Sequence, residues 1–158
     1  MPDVSPRVEA WPEFLRLWSK VLEASREPGT IVVVEGERDR ASLRKLHLEG
    51  PIVVVHHGRT LSGVAQELAG QARRVVILTD WDTEGGHLAR RLREFLEALP
   101  LELDLETRRR LAHVLRGELV HVEGLARWAR RTAERAGRPL ELELADLEAA
   151  GGSSRSTG

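Results

Sequence analysis

Apolar positions along the chain follow two rhythms. Short unbroken aliphatic runs occupy residues 31–34, 52–55 and 75–78. Each is too brief for a helix, is rich in β-branched residues and is bounded by turn formers, so each is predicted to be a strand buried on both faces. Between and around them the apolar residues recur at helical spacing. Trp11, Leu15, Trp18 and Leu22, with Phe14 and Val21 alongside, predict an amphipathic helix over 11–26, closed by Glu27-Pro28-Gly29. Residues 39–48 read as a helix broken by Gly50-Pro51. Leu61, Val64, Ala65 and Leu68 share one face of a helix over 60–69 that stops at Gly70. Leu88, Leu92, Phe95, Leu96 and Leu99 do the same over 84–99, ended by Pro100. Residues 101–105 alternate apolar with acidic, as a half-exposed edge strand does. Residues 108–115 and 125–136 read as helices, whereas 119–122 fit either a short strand or a loop.

Strands alternating with helices predict an α/β fold, in which a mostly parallel sheet of about four strands is flanked by helices. The organisation expected is an N-terminal amphipathic helix within 1–29, a core over 30–105, a helical extension over 106–137 and a flexible tail over 138–158, with Gly151-Gly152-Ser153-Ser154-Arg155-Ser156-Thr157-Gly158 at its end. The length of 158 residues suits one domain with appendages.

Composition changes this picture mainly by exclusion. Cysteine is absent, which removes disulfides, thiolate catalysis and cysteine-based metal centres. Tyrosine is absent as well. No apolar run approaches the roughly 20 residues that span a bilayer. The first residues lack the charged and apolar regions of a secretory signal, so no membrane association and a cytoplasmic location are expected. The net charge of −1 gives no bulk sign of a nucleic-acid binder, although arginines cluster at Arg90, Arg91 and Arg93, at Arg108 to Arg110, and at Arg127, Arg130 and Arg131.

The chemistry sits where two of the strands end. The first run is followed by Glu35-Gly36-Glu37-Arg38-Asp39, the third by Thr79-Asp80-Trp81-Asp82-Thr83-Glu84-Gly85. Carboxylates at the ends of buried strands are costly to desolvate unless a positive charge sits among them. In parallel sheets ligands bind beyond the carboxyl ends of the strands, so both clusters are expected to share one site for a divalent cation. Asp80 and Asp82, two residues apart, would point the same way. Such a pair suits a hard cation that also takes water and phosphate oxygens. Gly36 and Gly85 would let a phosphate approach the backbone where each following helix begins. Asp39 would lie one turn above the site. Glu84 also fits a residue that merely favours the helix dipole. His57 and Arg59 follow the second strand on the same rim and are candidates for phosphate contact, as is Arg108 in its arginine run. Trp81 fits base stacking or packing, and Trp11, Trp18 and Trp128 are expected to pack.

These residues resemble the Toprim family, the catalytic domain of topoisomerases, primases and certain nucleases. A strand ending in Glu-Gly with Asp three residues on is matched by Glu35, Gly36 and Asp39. The family's Asp-x-Asp is matched by Asp80 and Asp82, and Glu84-Gly85 extends it. The likeness covers about residues 30–100. The chain as a whole is similar to small stand-alone Toprim proteins of archaea and bacteria, related to a ribosomal RNA maturase; Asp104-Leu105-Glu106-Thr107-Arg108-Arg109 and Val122-Glu123-Gly124-Leu125 also look like that subgroup. The resemblance implies that Glu35 is a general acid/base. It implies that Asp80 and Asp82 bind Mg2+, with Mn2+ as a substitute, and that Asp39 and Glu84 are secondary ligands or support the ligands from behind.

The absences narrow what the resemblance implies. A Toprim topoisomerase cuts with a tyrosine, a bacterial-type primase carries a cysteine-rich zinc region and a longer body, and recombination mediators add zinc and helical DNA-binding parts; none is found here. The expectation is a Mg2+-dependent phosphoryl-transfer protein acting on RNA or DNA, a nuclease, working as a monomer or homodimer or inside a complex. The alternatives are a non-catalytic nucleic-acid-binding subunit and a receiver-like or nucleotide-binding regulator.

Overall fold

The computed structural model describes residues 7–55 and 59–155. Its centre is a four-stranded sheet in the order β2-β1-β3-β4, with β1 (Thr30–Val34), β2 (Ile52–Val54), β3 (Arg74–Ile77) and β4 (Glu102–Asp104). Every pairing is parallel. The aliphatic runs are therefore strands as the pattern predicts, and the alternating acidic run becomes an edge strand with its glutamate exposed.

Because successive strand residues face opposite ways, each strand feeds two cores. Val32, Val34, Ile52, Val54, Val76 and Leu78 face one side. There α1 (Trp11–Ser25), α2 (Glu37–Lys45), α5 (Glu106–Val114) and α6 (Leu125–Arg135) cover them. Ile31, Val33, Val53, Val75 and Ile77 face the other side. They are covered by α3 (Leu61–Gln71) and α4 (Thr83–Leu96). The result is a three-layer α/β/α molecule.

The first layer holds an aromatic nest. Phe14 stacks on Trp11 and Trp18 and meets Trp128 edge-on, with ring centroids 5.0–5.7 Å apart. The indole N–H of Trp18 donates to the Leu46 carbonyl at 3.0 Å, so its one polar atom is satisfied inside the core. These tryptophans pack, as expected.

One open reading is decided and one segment differs from the expectation. Residues 119–121 are a loop, followed by one 3-10 turn at Val122–Gly124. The expected tail over 138–158 is corrected: Leu140–Arg155 form α7. Leu140 and Leu144, one turn apart, are buried in the first core, and Leu147 packs against it from the next turn. This stripe is short and ends in Gly151-Gly152, so the glycine- and serine-rich end hides it.

Candidate metal and phosphate site

The site follows from sheet register. Val33 of β1 lies beside Ile77 of β3, and the Leu78 N–H continues the ladder to the Val33 carbonyl at 2.8 Å. The chain leaves both strands side by side, so Glu35 and the segment Thr79-Asp80 emerge together. The Asp80 N–H donates to Glu35 Oε2 at 3.3 Å. Asp39 arrives from the first turn of α2, where its Oδ2 accepts the Gly36 N–H at 3.0 Å and the side chain is only 5% exposed. Donor atoms of Glu35, Asp39 and Asp80 all lie within 4.8 Å of one another.

Asp82 caps α4, its Oδ1 accepting the Gly85 N–H at 2.7 Å. Gly85 is expected to open the backbone to phosphate. The structure places it instead against the acidic loop: a Cβ there would come within 1.8 Å of the Asp80 carbonyl oxygen. Thr79 Oγ1 donates to the Gly85 carbonyl at 2.8 Å and ties the same turn down. At Gly36, in an extended conformation, a Cβ would meet Asp39 Oδ2 at 4.0 Å, an ordinary contact.

Beneath the acidic loop runs Arg108. Its Nε donates to the Thr79 carbonyl at 3.1 Å and Nη2 to the Asp80 carbonyl at 2.7 Å. Arg108, expected to contact phosphate, braces the loop from a half-buried position. Asp104 sets that brace in place, accepting Thr107 N–H and Oγ1–H at 3.0 and 2.9 Å as α5 begins, and Arg74 Nη2 at 2.9 Å. Burial alone would raise the Asp104 pKa, but these three donors hold it below the usual carboxylate value.

Like charges crowd the site. Burial first, then the adjacent Asp80, push the Glu35 pKa from 4.5 to about 7. Asp39 is raised by burial, with the Gly36 N–H opposing and the charges of Asp80 and Glu123 adding. The Arg108 pKa is lowered by burial in spite of Glu35, Asp82 and Asp80 nearby. A hard oxygen-donor set with one guanidinium already committed to carbonyls fits a divalent cation, which would relieve the repulsion.

Of the remaining expected residues, Glu84 is exposed on the first turn of α4 and lines the same cleft as Glu35, without joining the converging donors. Arg59 also lines it, while donating to the Val54 carbonyl at 3.2 Å and pairing with Glu67. His57 lies outside the described residues. Trp81 packs, its indole N–H donating to the Leu119 carbonyl. The cleft is about 1120 Å³, with Arg38 and Arg91 on its walls beside the acids.

Sequence reasoning missed His121. Its Nδ1 stands 3.1 Å from Asp80 Oδ2 and 3.5 Å from Asp82 Oδ2. The hydrogen bond to Asp80 raises its pKa, assisted by the charges of Asp80, Asp82 and Glu123. No local pattern singles it out, because it meets the acids only through a loop about forty positions downstream.

Comparison with known proteins agrees with this geometry. Residues 30–114 match the Toprim domain. A UPF0292 protein of Pyrococcus furiosus is 37% identical over 115 residues, covering 73% of this chain and 86% of its own. A UPF0292 protein of Thermococcus gammatolerans is 36% identical over 117 residues, covering 74% and 84%. A solved structure from Aquifex aeolicus superposes with a TM-score of 0.58 at 24% identity, over 71% of this chain and 94% of that one, and so shares the fold. The acids at the ends of β1 and β3, the parallel sheet that brings them together and the match across its full width all give one answer: the chain belongs to the Toprim domain family.

Proposed function

We propose that the protein is a Mg2+-dependent nuclease that hydrolyses phosphodiester bonds in RNA or DNA, with Mn2+ able to substitute. The observation that carries this reading is Glu35, a carboxyl group raised to about 7 among the very carboxylates that fit a cation. A carboxyl group beside the carboxylates that fit the ion, within hydrogen-bond reach of the Asp80 N–H, is placed to take or give a proton at a phosphate held there. A pure binding subunit has no use for one there.

On this reading Asp80, Asp82 and Asp39 would hold the cation, which when bound would neutralise charge developing on the phosphate. Glu35 would take the proton of the attacking water or deliver one to the leaving oxygen. Arg108 would keep the Asp80 backbone rigid from below, so that the acids do not spread apart under their own repulsion. Arg38, Arg59 and Arg91 on the cleft wall would steer the nucleic-acid backbone towards the acids.

The test is cleavage of labelled structured RNA, single-stranded DNA and duplex DNA by native protein and Glu35→Gln, with Mg2+, with Mn2+ and with chelator. Cutting by the native protein in metal, at least about a hundredfold faster than by the variant, is expected. Metal binding without cutting of any substrate would instead favour a non-catalytic nucleic-acid-binding subunit.

A further inference from the structure

The aspartates of the second acidic motif each have one oxygen committed to a backbone N–H. Asp82 Oδ1 accepts the Gly85 N–H at 2.7 Å, and Asp80 Oδ1 accepts the Val122 N–H at 2.8 Å. The other oxygen of each, Oδ2, turns towards the same atom, His121 Nδ1, at 3.5 and 3.1 Å. Donors about 2.1 Å from one ion and at right angles stand about 3.0 Å apart, so these three atoms need little movement to share a cation.

The imidazole is held there by its neighbours in the chain. The Trp81 N–H donates to the Val120 carbonyl at 3.0 Å, and the Trp81 indole donates to the Leu119 carbonyl. With the Val122 N–H on Asp80, the residues on both sides of His121 are bonded into the Asp80-Trp81 turn. His121 therefore faces the aspartates because its backbone is strapped to theirs, whether or not its own ring makes a bond.

We propose that His121 is a metal ligand, and that Asp80, Asp82 and His121 together hold a first-row transition-metal dication in preference to Mg2+. Imidazole nitrogen favours the borderline transition ions, whereas carboxylate alone suits Mg2+. Asp80 belongs both to this set and to the all-oxygen set with Glu35 and Asp39. The site thus offers two adjoining positions with different tastes, one oxygen-only and one with nitrogen. The proposal rests on the cation-binding part of the function proposed above and extends it to the identity of the ion.

The test uses the full-length protein loaded with Mn2+, whose electron spin reports directly bound nitrogen through 14N modulation in pulsed EPR. Modulation is expected in the native protein and its loss in His121→Asn. Calorimetric titration should show the variant binding Mn2+ and Co2+ at least about tenfold more weakly, with Mg2+ affinity changed less than about threefold. Asparagine keeps an N–H that can donate to the aspartates, so a histidine that only positions them would leave Mn2+ affinity near native. Mn2+ bound at full stoichiometry without nitrogen modulation, or equal losses for Mn2+ and Mg2+, would overturn the proposal and leave the cation site standing. No Mn2+ binding by the native protein would overturn both.

Discussion

Glu35, Asp39 and His121 all hold protons more tightly in the folded chain than their ordinary values, and this sets how the metal-free protein responds to pH. A raised group contributes stability that is present below its unfolded value and is lost as pH rises through its folded value. For Glu35 that window runs from 4.5 to about 7. Asp39 begins its loss above 3.8 and His121 above 6.5, so all three act in one direction. Asp104, lowered below 3.8, acts at the acid end, where its contribution is lost as pH falls. Thermal melts in chelator are therefore expected to show the midpoint falling from pH 5 to pH 8. Saturating divalent cation should flatten that fall, since the ion binds the deprotonated carboxylates and holds the folded state. A midpoint in chelator that rises with pH over this range would contradict the crowding at Glu35. The residues responsible were partly legible from sequence. Glu35 and Asp80 stand one and two positions beyond aliphatic runs, and a buried strand followed at once by an acid is a local pattern. His121 has no such flank, since only the folded loop brings it near.

Among the elements, α7 carries the largest departure from the pattern-based expectation. Leu140, Leu144 and Leu147 lie on one stripe and enter the first core against α6 and α1. Glu148 reaches across to His47 Nδ1 at 2.7 Å, and Arg138 pairs with Asp146 at 2.6 Å just ahead of the helix and along it. Leu144→Ala is expected to destabilise the chain by about 2–5 kcal/mol, as buried leucines do, and ending the chain after Gly137 should cost at least as much. Denaturant midpoints would measure both; an unchanged midpoint in the truncated chain would return the segment to a tail. The strands and the first six helices were readable from unbroken aliphatic runs, from apolar residues at helical spacing in α1, α3 and α4, and from clear breakers such as Gly50-Pro51 and Pro100. The seventh has three apolar turns followed by glycine and serine, and burial decides there where pattern does not.

Over the whole molecule, a net charge of −1 limits what electrostatics can contribute to binding nucleic acid. The cleft offers Arg38, Arg59 and Arg91, and Arg59 is already paired with Glu67. Each phosphate neutralised lowers log K by about 0.7–0.9 per decade of salt, so oligonucleotide affinity should fall with a slope of about −2 to −3. A slope steeper than about −6 would mean a wider basic surface than this cleft. Such a shallow dependence leaves recognition to the acids and their cation. The strap between residues 119–122 and the Asp80-Trp81 turn carries a further meaning. The Toprim domain match ends at residue 114, yet the backbone N–H bonded to Asp80 and the ring that faces Asp82 come from beyond it. The inherited module and the working unit are not the same length. The sheet supplies the acids and a stretch of chain beyond the domain match helps to hold them, so a chain cut at residue 114 would keep both acidic motifs and lose the strap across Asp80.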